Sequence, residues 1–339
     1  MRAPEVSVLM PLFNAAATAG RAIESIRRQS LRQWELIAVD DGSTDRTPET
    51  LRRIGAREPR LRVVTIPHGG IVAALKAGLA EARAPFVARM DADDEAHPDR
   101  FAAQAGFLSQ RPELGIAGCL VEFGGDRQRQ AGYARHVDWI NSLLSPEDIA
   151  LNRFVESPLA HPSVMFRRPL ARLHGGYRHG EFPEDYELWL RWMEAGVVAA
   201  KVPQVLLTWN DAPNRLSRID PRYDPEAFYR CKAGFLARWL QRQVDSRRRI
   251  LVWGAGRPTR RRAELLTGHG VQICGYIDID PRKIGREFAG RPVLSPQRVP
   301  APSECFVLGY VAKLQARELV RAHLTGRGFV EGRDFLMAA

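Results

Sequence analysis

Four short apolar runs, at residues 6–13, 34–39, 61–66 and 85–88, punctuate the N-terminal part of the chain. Apolar runs of this length bounded by turn formers read as buried strands. Between them, residues 17–29 place Ala22, Ile23 and Ile26 on one helical face, and residues 71–82 form a second helical stretch. Strand alternating with helix predicts a mostly parallel α/β sheet with helices on both faces. Such sheets bind ligands beyond the carboxyl ends of their strands. Asn14, Asp40-Asp41 and Asp91-Ala92-Asp93 all fall at such ends, so three strand ends converge on one crevice.

The acidic stretch Met90-Asp91-Ala92-Asp93-Asp94 carries the most chemistry. Clustered carboxylates are costly unless a cation or hydrogen-bond donors compensate them. On an extended chain Asp91 and Asp93 point one way and Asp94 the other. Two hard oxygen ligands on one side suit Mg2+ or Mn2+ shared with substrate phosphates. The plainer alternative is an acid-rich helix start, with Pro98 close behind. Asp40 or Asp41 would accept from a nucleobase N–H or a ribose hydroxyl, or else serve turn chemistry in Asp-Asp-Gly-Ser-Thr. This half has no glycine-rich phosphate cradle. A diphosphate would therefore need the metal, with Lys76, Arg83 or Arg89 as helpers, although basic residues at such positions are more often solvated surface.

The formal net charge of +11 attracts anions: nucleotides, phosphates, an anionic membrane face or nucleic acid. Nucleic acid is disfavoured, because no recognition motif is present. Cys119, Cys231, Cys274 and Cys305 lack metal or redox spacing and read as reduced thiols of a cytoplasmic protein. The N-terminus lacks the pattern of a signal peptide, and no run approaches the ~20 apolar residues of a membrane span. The expected location is cytoplasmic, at most peripheral at the inner membrane face.

Val-Ser-Val-Leu-Met-Pro-Leu-Phe-Asn, Val-Asp-Asp-Gly-Ser-Thr-Asp and Ala-Arg-Met-Asp-Ala-Asp-Asp, in that order and spacing, closely resemble the inverting family 2 glycosyltransferases of the GT-A fold. The resemblance covers roughly the first 215 residues. It implies that Leu12, Phe13 and Asn14 lie by the nucleotide and that Asp41 binds the base. It further implies Asp91 and Ala92 near the ribose or metal, and Asp93 as principal metal ligand. Residues 116–123 read as another strand, and the polar 124–130 as a loop that closes over a substrate or, the favoured reading, a hairpin tip. A His-Pro-Ser-Val-Met-Phe-Arg block similar to the family's puts His161 either on the sugar or acceptor or in a structural role.

Residues 186–195 have helical spacing, with Glu184-Asp185 at the N-terminus, where acids suit the helix dipole. The pair resembles the family's Glu-Asp motif, which implies Asp185 as catalytic base and Glu184 in the acceptor or sugar pocket. One base suffices for inverting transfer when a metal stabilises the leaving group, unlike glycoside hydrolysis with its two carboxylates. Where family members carry Tyr-Arg-x-His, this chain has Trp209-Asn210-Asp211-Ala212, leaving Arg215 or Arg218 to replace the missing contact electrostatically. The Gln-x-x-Arg-Trp motif of processive members is absent, which favours transfer of a single sugar.

Residues 225–249 read as one helix with Phe228, Lys232, Phe235, Leu236, Trp239, Leu240 and Val244 on one face. A linker helix is favoured over one lying on an anionic membrane. From residue 249 the pattern restarts with a strand and Gly254-Ala255-Gly256, and Asp278 follows roughly 20 residues on, as in a dinucleotide site. Thr259 at the third glycine position and Pro258 before it depart from that pattern. This part resembles Rossmann-like domains attached to sugar-modifying enzymes, and a structural or assembly role is favoured over an NAD-type site at Gly254, Gly256 and Asp278.

The expected architecture is thus a GT-A domain at 1–222, an amphipathic linker at 223–248 and a small Rossmann-like domain at 249–339. The expected activity is metal-dependent, inverting transfer of one sugar from a nucleotide-sugar donor to a glycan or lipid-linked acceptor, in surface polysaccharide or glycolipid synthesis. Alternatives are a sugar nucleotidyltransferase, which lacks support in the absence of an N-terminal phosphate loop, and a nucleotide-dependent regulatory protein. Oligomerisation is left open.

Overall fold

The computed structural model describes residues 3–211 and 215–339. The strands and helices run β1 (Val6–Leu12), α1 (Ala19–Arg27), β2 (Trp34–Asp40), α2 (Thr47–Gly55), β3 (Leu61–Thr65), α3 (Ile71–Glu81), β4 (Phe86–Arg89), β5 (Glu95–Ala96), α4 (Arg100–Gln110), β6 (Leu114–Phe123), α5 (Ala131–Ser142), α6 (Pro146–Asn152), β7 (Met165–Arg167), α7 (Pro169–Leu173), α8 (Glu184–Glu194), β8 (Val198–Trp209) and α9 (Leu216–Ile219). After them come α10 (Pro225–Gln243), β9 (Arg249–Trp253), α11 (Arg257–Glu264), β10 (Ile273–Ile277), β11 (Glu287–Phe288), β12 (Arg291–Leu294), β13 (Cys305–Gly309), α12 (Leu314–Gly326) and β14 (Phe335–Met337). The chain forms two compact units, Met1–Ile149 with Pro158–Gly180 and Arg191–Asp220, and Ala150–Ser157 with Glu181–Leu190 and Pro221–Ala339.

The first unit is built on an eight-stranded sheet of order β3-β2-β1-β4-β7-β6-β8-β5. Strands β3, β2, β1 and β4 are parallel, and β7 turns the sheet antiparallel beside β4. The registers Leu12↔Asp40 and Leu9↔Arg89 bring the carboxyl ends of β1, β2 and β4 side by side. Val8, Leu36, Ile37, Val87 and Ala88 are completely buried, as strands covered on both faces require.

Helix α3 crosses β1 and β2 at Gly78, where an added Cβ would overlap the Leu9 side chain and lie 2.9 Å from Val39 Cγ2. Gly78→Ala is therefore expected to destabilise the protein by about 1–3 kcal/mol in urea unfolding, despite alanine's higher helix propensity. At Gly20, where a Cβ meets nothing within 4 Å, the same change should stabilise or be neutral.

One local expectation fails, and helix α2, which the sequence reading does not single out, buries Thr47 and Leu51 on one face. The polar 124–130 segment is no hairpin tip. It leads from β6 into α5, and β6 pairs with β7 and in parallel with β8.

The second unit has a six-stranded sheet of order β11-β12-β10-β9-β13-β14, parallel except for the β11–β12 pair. Its five parallel strands follow the order of a doubly wound sheet. Helix α10, expected as a linker, buries Ala233, Leu236, Ala237 and Leu240 in this unit's core with Val252, Phe306, Leu308 and Leu336. Phe228, Phe235, Trp239 and Val244 of the same helix are partly buried and pack against that core. Among the described residues no helix is long and apolar enough to cross a membrane.

Candidate active site

The acidic stretch begins where β4 stops. Beyond Arg89 the chain turns, closed by the Asp94 N–H on the Asp91 carbonyl at 3.4 Å, so strand alternation no longer applies. Asp94 therefore does not point away, as expected of an extended chain. Side-chain oxygens of Asp91, Asp93 and Asp94 all lie within 4.8 Å of one another. Ala92 between them is buried.

This concentration of negative charge is held from below and from the side. Arg89, only 1% exposed, is no surface helper: its guanidinium donates to Asp91 Oδ1 at 2.6 Å and to the Met90 carbonyl. Arg100, also buried, donates to the Arg89 carbonyl at 2.8 Å. From the end of β8, the Asn210 N–H reaches Asp94 Oδ1 at 2.8 Å and its amide reaches the Asp93 carbonyl at 2.7 Å. Arg215 packs over the Trp209 ring at 4.9 Å and donates to the Tyr133 hydroxyl at 2.8 Å. Burial opposes its charge, but Tyr133, Asp94, Asp91 and Asp93 outweigh that and raise its pKa. Arg218 instead pairs with Asp211. Ala212, Pro213 and Asn214 lie outside the described residues.

Burial, then the neighbouring Asp91 charge, raises the pKa of Asp93, and burial with Asp91 and Asp93 raises that of Asp94 further. Asp94 Oδ2 is buried without a hydrogen-bond partner. A buried carboxylate oxygen left unpaired is costly, and three carboxylates converging on it are the donor set of a hard divalent ion. The residues fit Mg2+ or Mn2+.

The ends of β1 and β2 form a second cluster. Asp41, 3% exposed, accepts from the Gly69 and Gly70 amides at 2.8 and 2.9 Å and faces His68 Nδ1 at 2.9 Å. Phe13 is 47% exposed and stacks on the His68 ring at 4.2 Å. Asn14, with φ of 50°, uses its side chain to accept from the Thr44 and Asp45 amides. Its role here is to tie β1 to the loop after β2. Leu12 is a core side chain, so only its backbone borders the crevice. Lys76 is exposed on α3 and bonds to neither cluster. His68 was not singled out by sequence reasoning. Its signal was an aromatic ring before two glycines at a strand end, and Gly42 (φ 68°) lets it approach, since a Cβ there would be 2.8 Å from His68 N.

His161 is buried, with Nε2 2.9 Å from the Tyr177 hydroxyl. Burial, then Arg89, pushes its pKa well below the usual histidine value, so it stays neutral. That environment favours the structural alternative.

In the second unit, Asp185 and Glu184 open α8. Glu184 is buried and accepts from the Tyr223 hydroxyl at 2.6 Å. Asp185 is partly exposed and accepts from the Tyr186 N–H at 2.7 Å. Gly254 has φ of 116°, and Thr259 fills the space beside it. Asp278 is engaged by its own turn: the Ala255 N–H at 2.9 Å, the Asp280 N–H at 2.9 Å and Lys283 Nζ at 3.0 Å. Gly256, the N-cap of α11, makes no side-chain cap bond.

A mixed α/β sheet with an acidic turn after β4, beside the ends of β1 and β2, is the GT-A arrangement, and the crystal structure of S. aureus TarS 1-349 in complex with UDP-GlcNAc shares the fold with TM-score 0.56 and 15% identity, over 78% of this chain and 71% of that one. The model of glycosyl transferase family 2 matches residues 7–173. The amylovoran biosynthesis glycosyltransferase AmsE of Erwinia amylovora is 32% identical over 211 residues, 59% of this chain and 74% of that protein. Hyaluronan synthase of Pasteurella multocida is 29% identical over 203 residues, 58% of this chain but 19% of that protein. The chain belongs to glycosyl transferase family 2 and is a glycosyltransferase.

Proposed function

We propose that this protein transfers a single sugar, with inversion, from a nucleotide-diphosphate sugar to a hydroxyl of a glycan or lipid-linked acceptor in the synthesis of surface polysaccharide or glycolipid. The observation that carries the donor side is the acidic turn with the orphaned Asp94 Oδ2, set beside the exposed Phe13 ring at the next strand end. Amylovoran synthesis in the name of one relative and UDP-GlcNAc in the TarS complex support the polysaccharide context and a UDP-sugar as first candidate.

Asp93 and Asp94 would hold Mg2+ or Mn2+, with Asp91 kept in register by Arg89. When bound, the ion supplies Lewis-acid stabilisation to the diphosphate leaving group. Phe13 offers a stacking face for the base, and Arg215 adds fixed positive charge at the turn. Asp185 accepts the proton of the acceptor hydroxyl as its oxygen bonds to the anomeric carbon. The bond from that carbon to the diphosphate oxygen breaks, its electron pair leaving with the nucleoside diphosphate, and configuration inverts. The six-stranded sheet of the second unit serves as a scaffold, since its Asp278 already spends its carboxylate within the protein.

The test is a thermal-shift panel of UDP-, GDP- and dTDP-sugars, each with and without Mn2+, plus NAD(H). One nucleotide class is expected to raise Tm only with Mn2+, and NAD(H) is expected to leave it unchanged. A shift with every sugar nucleotide in the absence of metal would overturn the assignment to the acidic turn.

A further inference from the structure

The surplus positive charge has a focus away from the strand ends that form the crevice. Helices α1 and α2 lie side by side in the first unit, and a cavity of about 260 Å3 opens between them, with Ile23 and Ile54 beside Glu24, Arg27, Arg53 and Arg57. β1, β2 and β3 are parallel neighbours, so each connecting helix runs back against them. The C-terminal turns of α1 and α2, which carry these arginines, therefore lie at the opposite end of the sheet from the strand ends that form the crevice.

The arginines outnumber their partners. Glu24 serves Arg27 at 2.7 Å and Arg28 at 3.3 Å, and Glu58 serves Arg60 at 2.8 Å and Arg27 at 3.4 Å. Arg52, Arg53 and Arg57 are exposed and, among the described residues, pair with no carboxylate. Glu49 stands at the other end of α2. One basic residue in a last turn suits the helix dipole. Arg53 and Arg57, the two cavity-lining guanidinium groups without a carboxylate partner, do more beside an apolar floor, because their planar forks match the oxygens of a phosphate.

We propose that this face docks the protein on an anionic lipid surface, with one phosphate headgroup seated between Arg27, Arg53 and Arg57. The charge lies on the outer turns of two adjacent helices, where a flat anionic surface can meet it without covering the crevice. It differs from the route suggested by sequence through α10, whose Phe228, Phe235 and Trp239 pack partly buried against the second unit's core. Basic side chains near such a surface add attraction roughly residue by residue and lose it with salt.

The test is flotation of the full chain with vesicles of phosphatidylcholine alone or enriched in phosphatidylglycerol. The wild type should float with the anionic vesicles only, and less at high salt. Arg53→Gln with Arg57→Gln should weaken that partition on the order of tenfold or more. Arg53→Glu with Arg57→Glu should abolish it, while melting temperature and any donor-induced thermal shift stay unchanged in both variants. Equal flotation of wild type and variants, or no flotation of the wild type, overturns the proposal. So does an arginine-dependent complex with RNA in the absence of vesicle binding, which would assign the face to a soluble polyanion.

Discussion

Asp93→Asn is expected to lower sugar transfer roughly a thousandfold or more, the scale of the several kcal/mol a Lewis acid contributes at a leaving group. The fold should survive the change. Asp93 sits in a turn whose pKa shifts arise from burial and like charge, so removing one negative charge relieves repulsion instead of breaking a structural bond. Its backbone carbonyl, which Asn210 uses, is untouched by the substitution. The metal-free variant should thus melt no lower than the metal-free wild type, while Mn2+ binding by calorimetry and the Mn2+-dependent donor shift are lost together. Undiminished turnover would remove Asp93 from the metal site.

Asp185→Asn should separate the two halves of the reaction. Loss of a general base costs about 10²- to 10⁴-fold in the chemical step. Because the base acts on the acceptor proton, the fall should appear in kcat, with the donor thermal shift and donor KM retained. Donor binding lost in parallel with turnover would show that Asp185 supports the donor site and would sink its role as base. The two variants together therefore distinguish failure to hold the donor from failure to activate the acceptor.

How much of this was legible in the sequence varies by the range of the interaction involved. Strand ends at Asn14, Asp41 and Asp91 follow from local hydrophobic runs, and all three lie on neighbouring strands. The direction of Asp94 was misjudged because strand alternation was carried past Arg89 into a turn. The burial of Arg89 could not be read from its own segment, since the groups that surround it include Arg100 and the Val164 carbonyl. Asparagine at a strand end suits both binding and turn bridging, and the bridge to the Thr44 and Asp45 amides depends on a loop 30 residues away that the local run does not show. Asp278 had the spacing of a ribose acceptor, and the competing donors Lys283 and Ala255 come from the turns around it.

The grip of Asn210 on the acidic turn spans 116 residues of chain. A fragment cut at the limits of the family match, residues 7–173, would contain every aspartate of the turn and yet lack Asn210 and Arg215. Its Asp94 would then have neither oxygen satisfied, and the cluster would lose the Arg215 charge. Contacts of such long separation form late in folding. During synthesis the catalytic turn consequently has its full shape only after the ribosome has released β8 and the segment beyond it. Anyone swapping donor specificity between relatives should place the junction after residue 220, because a chimera joined earlier would pair one protein's carboxylates with another protein's clasp.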